Sequence, residues 1–124
     1  MITTEKTENE AFLKKSIQHL ELHGFEQIKA DLEGYDRPKT YHKKDSEISI
    51  TPDIVAYKNG RRYVFDISLK SEKARLLKSK WLVLHALSRL KDHRFKIITT
   101  KGHYKFTNDM IKDINLSEES LLKI

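Results

Sequence analysis

Apolar residues recur at Leu13, Ile17 and Leu20 with polar positions between them, the spacing of one stripe on a helix. Thr7-Glu8-Asn9-Glu10 reads as the start of that helix, with Thr7 as N-cap and Glu10 closing a capping box, and Gly24 as its stop. The pattern therefore predicts a helix over about Glu8–His23, then a strand within Phe25–Leu32. Glu33–Glu47 is polar, carries Gly34 and Pro38, and has no period, so it reads as a loop; Ile48–Ile50 extends the chain toward Pro52. Two runs rich in β-branched and aromatic residues flank Asn59-Gly60, the strongest short-range signal for a two-residue hairpin.

Leu76, Leu77, Trp81, Leu84, Leu87, Ser88 and Leu90 make a broad apolar face over about Glu72–Lys91, with Ser71 or Ser68 as the cap. Leu82 and Val83 widen that face, and a helix apolar this far round packs on more than one side. It is the expected core helix, with surface to spare for a partner subunit. Phe95–Thr100 reads as a further strand of the same sheet, and Lys101–Lys105 as a turn. Phe106, Thr107 and Ile111 match a hydrophobic staple around a Thr N-cap, opening a short helix Asn108–Ile114. Leu116–Ile124 then reads as a last helical turn or a frayed end. The expected architecture is one α/β domain over residues 1–124, a mixed sheet with a β-hairpin, flanked by helices.

The hairpin fixes a register. Lys58 faces Arg61 across the bend, so counting outward puts Val55 opposite Val64 and Asp53 opposite Asp66. Facing residues have Cβ atoms about 4.5–5.5 Å apart, where like charges are destabilising. Pro52 has no N–H to donate, so pairing stops beside the two carboxylates. Ile54, Ala56, Tyr63, Phe65, Ile67 and Leu69 share the apolar face expected to meet the core. The other face carries Asp53, Val55, Tyr57, Arg62, Val64, Asp66, Ser68 and Lys70, and its plain reading is a solvated outer surface. Two aspartates so placed lie in water, share a proton, or hold a cation. Mg²⁺ takes carboxylate oxygens and uses one or two such groups, which suits this pair.

Pro52-Asp53, the hairpin, and Asp66-Ile67-Ser68 together resemble the signature of the PD-(D/E)xK nuclease superfamily, the restriction-endonuclease-like fold. That resemblance implies an αβββαβ core and a Mg²⁺- or Mn²⁺-dependent nuclease acting on nucleic acid, DNA in the first instance. It implies Asp53, Asp66 and the backbone carbonyl of Ile67 as metal ligands, and an acidic residue on the first helix, Glu10 or Glu8, near them; capping explains Glu10 equally well. Ser68 stands where the family has lysine, and Lys70 lies one same-face step further on. Lys70 is the first candidate for the ammonium; Lys73, Lys78 or Lys80 on the following helix is the alternative. If no lysine serves, the chain is a nucleic-acid-binding module that keeps the nuclease fold without turnover.

Charge agrees with such a partner without identifying it. The chain carries 24 Lys+Arg against 18 Asp+Glu, a net charge of +6. Arg37-Pro-Lys-Thr-Tyr-His-Lys-Lys44 sets Arg37, Lys39, Lys43 and Lys44 around Tyr41 and His42, a combination suited to phosphate contact and base stacking and equally to a solvated loop. Lys73, Arg75, Lys78 and Lys80 would line a groove beside the metal, or form a solvent stripe. His19 and His23 are spaced for a shared metal ion but have no third ligand in sight. The chain has no cysteine, which excludes disulfides and thiolate zinc sites. No apolar run is long enough to span a bilayer and the N-terminus lacks a signal-peptide core, so a cytoplasmic protein is expected. On the nuclease resemblance, so small a chain is expected to cut by substrate structure, with a homodimer as one option, in the manner of small junction-resolving nucleases.

Overall fold

Asn59 and Gly60 both adopt the left-handed backbone, with φ of 53° and 76°. That is the type I′ bend whose twist matches the flanking strands. It joins β4 (Ile54–Lys58) to β5 (Arg61–Ser68), and Lys58 faces Arg61, Val55 faces Val64 and Ile54 faces Phe65, the register expected from the sequence. The computed structural model describes residues 3–42, 49–70 and 73–124, with side chains from Asn9 onward.

Five strands form one mixed sheet in the order β1-β4-β5-β6-β7. β1 (Glu26–Ala30) runs antiparallel to β4, while β6 (Arg94–Thr99) and β7 (Leu121–Lys123) continue the sheet parallel to β5. Three helices flank it: α1 (Thr3–Leu22), α2 (Ala74–Leu90) and α3 (Tyr104–Asp113). The chain is thus a single α/β domain, as its pattern implied. Alternation along the strands divides the core in two. Ile54, Ala56, Phe65 and Ile98 pack on Phe12, Leu13, Ile17 and Leu20 of α1. Val64 and Ile97 point the other way, onto Trp81 and Leu84 of α2 and Met110 and Ile111 of α3.

That second face is not the solvated surface of its plainer reading. Val55, Val64, Asp66 and Ser68 are all buried on it, because α2 and α3 close over the strands. α2 in turn is not enclosed on both sides: Leu76, Leu82, Val83 and Leu90 remain exposed.

Several boundaries differ for identifiable reasons. α1 begins at Thr3, so Thr7 lies inside it and is not its cap. Its other end is as expected. The Phe25 N–H reaches Leu20 O and the Gly24 N–H reaches Glu21 O, a Schellman closure with Gly24 at φ 86°. α2 starts at Ala74 with Lys73 in the cap position and no side-chain cap; Ser68 belongs to β5, and Ser71 lies outside the described residues. β2 (Tyr41–His42), inside the segment expected to be a loop, pairs with β3 (Ser49–Ile50) just beyond it in a separate two-stranded sheet. The C-terminal segment holds one helical turn, as one expectation had it, and then, unexpectedly, a strand. A 3-10 turn at Glu118–Ser120, capped by Ser117, leads into β7, where Leu121 and Leu122 alternate onto the two faces of the core.

α3 starts at Tyr104, so Thr107 is an interior residue rather than an N-cap. Its hydroxyl bonds Ser68 Oγ at 2.7 Å and Thr99 Oγ1 at 3.0 Å, and donates to His103 O at 3.0 Å, tying α3 to β5 and β6. Thr107→Val keeps the shape but strands two buried hydroxyls. The expected loss is about 1–3 kcal/mol in urea unfolding; an unchanged midpoint would show that these hydroxyls contribute nothing.

Candidate active site

Asp53 and Asp66 meet where the hairpin ladder ends. Pro52 ends the pairing, and each aspartate side chain takes a backbone donor from the opposite strand. The Ile67 N–H donates to Asp53 Oδ2 at 2.9 Å, and the Asp53 N–H donates to Asp66 Oδ1 at 3.2 Å. The two carboxylates are therefore held face to face by main-chain geometry, and the sheet fixes their separation.

α2 completes the cluster. Lys80 Nζ lies 2.8 Å from Asp66 Oδ1 and 3.7 Å from Asp53 Oδ1, so one ammonium bridges both acids. The next residue, Trp81, donates its indole N–H to Asp66 Oδ2 at 2.8 Å. Asp66 is fully buried, whereas the Asp53 side chain is 31% exposed, which leaves the pair open to solvent on one side.

Burial, and next the Asp53 carboxylate, push the Asp66 pKa well above the usual carboxylate range, against the pull of Lys80. Burial also works to lower Lys80, but Asp66 and Asp53 outweigh it and its pKa is raised. The signs for stability differ. With its folded pKa raised, Asp66 binds a proton more tightly in the folded chain, so stability falls as pH rises from the ordinary Asp value toward the raised one. Lys80 contributes stability that is present below the ordinary Lys value and lost as pH rises through its own raised pKa. In EDTA, the urea midpoint of the parent chain is therefore expected to fall relative to that of Asp66→Asn as pH rises from about 4. A difference between the two that stays constant, or moves the other way, would contradict the raised Asp66.

Of the lysines considered, the structure brings Lys80 to the acids and leaves Lys70 elsewhere. Lys70 follows the end of β5, is exposed, and its N–H donates to His103 Nδ1 at 2.8 Å. Ser68, where the resemblance expects a lysine, is buried and bonded to Thr107 of α3. A helical count alone does not single out Lys80: it stands three after Leu77 and four before Leu84, but Lys78 stands three before Trp81. Lys78 instead pairs with Asp113 at 2.8 Å.

No family model matches this chain, and neither does any curated protein or solved structure.

The remaining candidates are dispersed. Glu10 is exposed on α1 and lines a cavity with Lys14, Asp31, Tyr35 and Arg37. Arg37 is exposed and lies 3.5 Å from Asp31, and Lys39 is exposed nearby. Lys43 and Lys44 fall outside the described residues, and Lys73 stands at the N-cap of α2. The rings of His19 and His23 stack at 4.0 Å, and among the described residues no three His, Asp or Glu side chains gather to hold a metal ion. Two carboxylates do gather, already bridged by a cation, and Mg²⁺ needs no more than one or two. Asp53 offers hard oxygens with one side open to such an ion, while the oxygens of the buried Asp66 are already held by Lys80, Trp81 and the Asp53 N–H.

Proposed function

We propose that this chain is a metal-dependent nucleic-acid phosphodiesterase with a restriction-endonuclease-like fold, cutting DNA with Mg²⁺ or Mn²⁺. One observation carries the reading: Asp53 and Asp66 face each other at the end of the hairpin with Lys80 Nζ 3.7 and 2.8 Å away. Paired acids plus an ammonium are the groups that the PD-(D/E)xK resemblance requires, here with the lysine supplied from α2. Asp53 and Asp66 would hold the ion, with the Ile67 carbonyl as a further ligand. The bound ion would lower the pKa of a water molecule and offset charge on the phosphate.

The chain's own residues have separate tasks. The Ile67 N–H aims Asp53, and Trp81 with the Asp53 N–H aims Asp66. Lys80 limits the repulsion between the acids and presents positive charge where the phosphate's negative charge develops. A second reading, a nucleic-acid-binding module without turnover, draws on Ser68 in the lysine position and on Lys80 already closing the pair.

Incubation with supercoiled, single-stranded and branched DNA, with Mg²⁺ or Mn²⁺ and an Asp53→Asn control, separates them. Cleavage that needs the ion and Asp53 supports the enzyme. Salt-sensitive binding without cleavage supports the module, and neither result sinks both.

A further inference from the structure

The far end of the hairpin carries a second polar cluster that the carboxylate site does not use. Arg61 and Arg62, just past the bend, meet Lys91 and His93, just past α2, around an open cavity of about 530 Å³ with Asp92 at its rim. Arg62 is the anomaly. Among the described residues its Nε is buried with no hydrogen-bond partner, and its Nη2 reaches Tyr41 Oη at 3.4 Å. A buried guanidinium N–H without an acceptor is costly and calls for an explanation.

Among the described residues, the neighbours supply little negative charge. The Asp92 side chain is 93% exposed and only reaches 4.0 Å from Arg61 Nη2. Lys91 Nζ sits over the Tyr41 ring, 5.0 Å from its centre, rather than against a carboxylate. Burial first, then Arg62 and Lys91, lower the His93 pKa against the opposing pull of Asp92, which marks the positive field around the ring.

We propose that Arg61, Arg62, Lys91 and His93 form a binding site for a phosphate group. Guanidinium forks match the oxygen spacing of phosphate, and an ammonium adds charge from another direction. The group belongs either to a nucleic-acid strand or to a free phosphate. Arg62 and Asp66 share one face of β5, four residues apart, hence about 13 Å at about 3.3 Å per residue. A strand anchored at the bend therefore lies within reach of the acids; that extension rests on the nuclease reading, but the anion site does not.

The test uses the 124-residue chain, ¹⁵N-labelled and in EDTA, titrated separately with inorganic phosphate and with an oligonucleotide lacking terminal phosphates. The Arg62 Nε–H resonance is expected to shift saturably. Arg61→Gln with Lys91→Gln should weaken binding about tenfold or more and lower the salt slope by about one per lost contact. Lys105→Gln with Lys123→Gln, an equal charge loss elsewhere, should leave both nearly unchanged. A shift with oligonucleotide that phosphate competes away identifies a strand, and a shift with phosphate alone identifies a free phosphate. No saturable shift with either, or equal weakening in both double variants, overturns the site. Loss of the nuclease reading shows separately, as cleavage that survives Asp53→Asn.

Discussion

Asp53→Asn is expected to abolish the proposed Mg²⁺-dependent DNA cleavage while leaving the fold intact. The fold survives because the side chain is 31% exposed and an Asn Oδ1 still accepts the Ile67 N–H. The activity falls because an amide is a poor ligand for a hard dication, and the loss of its charge leaves Lys80 paired to Asp66 alone. A bound metal ion contributes several kcal/mol of transition-state stabilisation, and each 1.4 kcal/mol is a factor of ten, so the rate should drop by about 10²–10⁴. Lys80→Met should lower the rate too and, unlike Asp53→Asn, also destabilise the metal-free chain, since it leaves two adjacent acids without a counter-ion. Single-turnover cleavage, with circular dichroism as the folding control, measures both. Wild-type rates in Asp53→Asn would end the catalytic assignment.

Trp81→Ala should produce the largest loss of stability. Trp81 is wholly buried between Val64, Phe95, Ile97 and Met110, and it is also the donor that holds Asp66 Oδ2. Truncating a buried aromatic costs about 3–5 kcal/mol, a large part of the 5–15 kcal/mol typical of a whole domain. Trp81→Phe retains most of the apolar volume but loses the N–H, and should cost about 1–3 kcal/mol. The difference between the two variants divides packing from hydrogen bonding. Urea unfolding followed by circular dichroism is the measurement, since the only tryptophan is the residue removed. A smaller loss for Ala than for Phe would show that Trp81 is not a packed core residue.

The placement of Lys80 links these two predictions. Lys80 and Trp81 are consecutive, one an ion-pair partner and the other a hydrogen-bond donor to the same carboxylate. Any shift of α2 along the sheet therefore disturbs the electrostatics of the acid pair and the packing of the core together. The site is not an addition to the surface of a finished fold, because Asp66 is part of the interface between β5 and α2.

What the sequence determined by itself is local. Asn59-Gly60 admits few backbone conformations and joins strands in a set register, so the meeting of Asp53 with Asp66 followed from counting. Gly24 ended α1 for the same kind of reason, since a left-handed backbone there favours glycine. Tertiary structure decided what depends on how elements lie against one another. The depth of Ser68 and the inward role of Thr107 appeared only once α3 closed over the sheet, because a hydroxyl reads alike as a cap, a surface group or a buried link. The pairing of β7 beside β6 joins segments far apart in the chain, for which no local pattern codes. The choice of Lys80 over Lys70 rested on the rotation of α2 above β5. That angle is set by Trp81 and Leu84 seeking the core, and a charge can be assigned a partner only after apolar packing has fixed where its backbone stands.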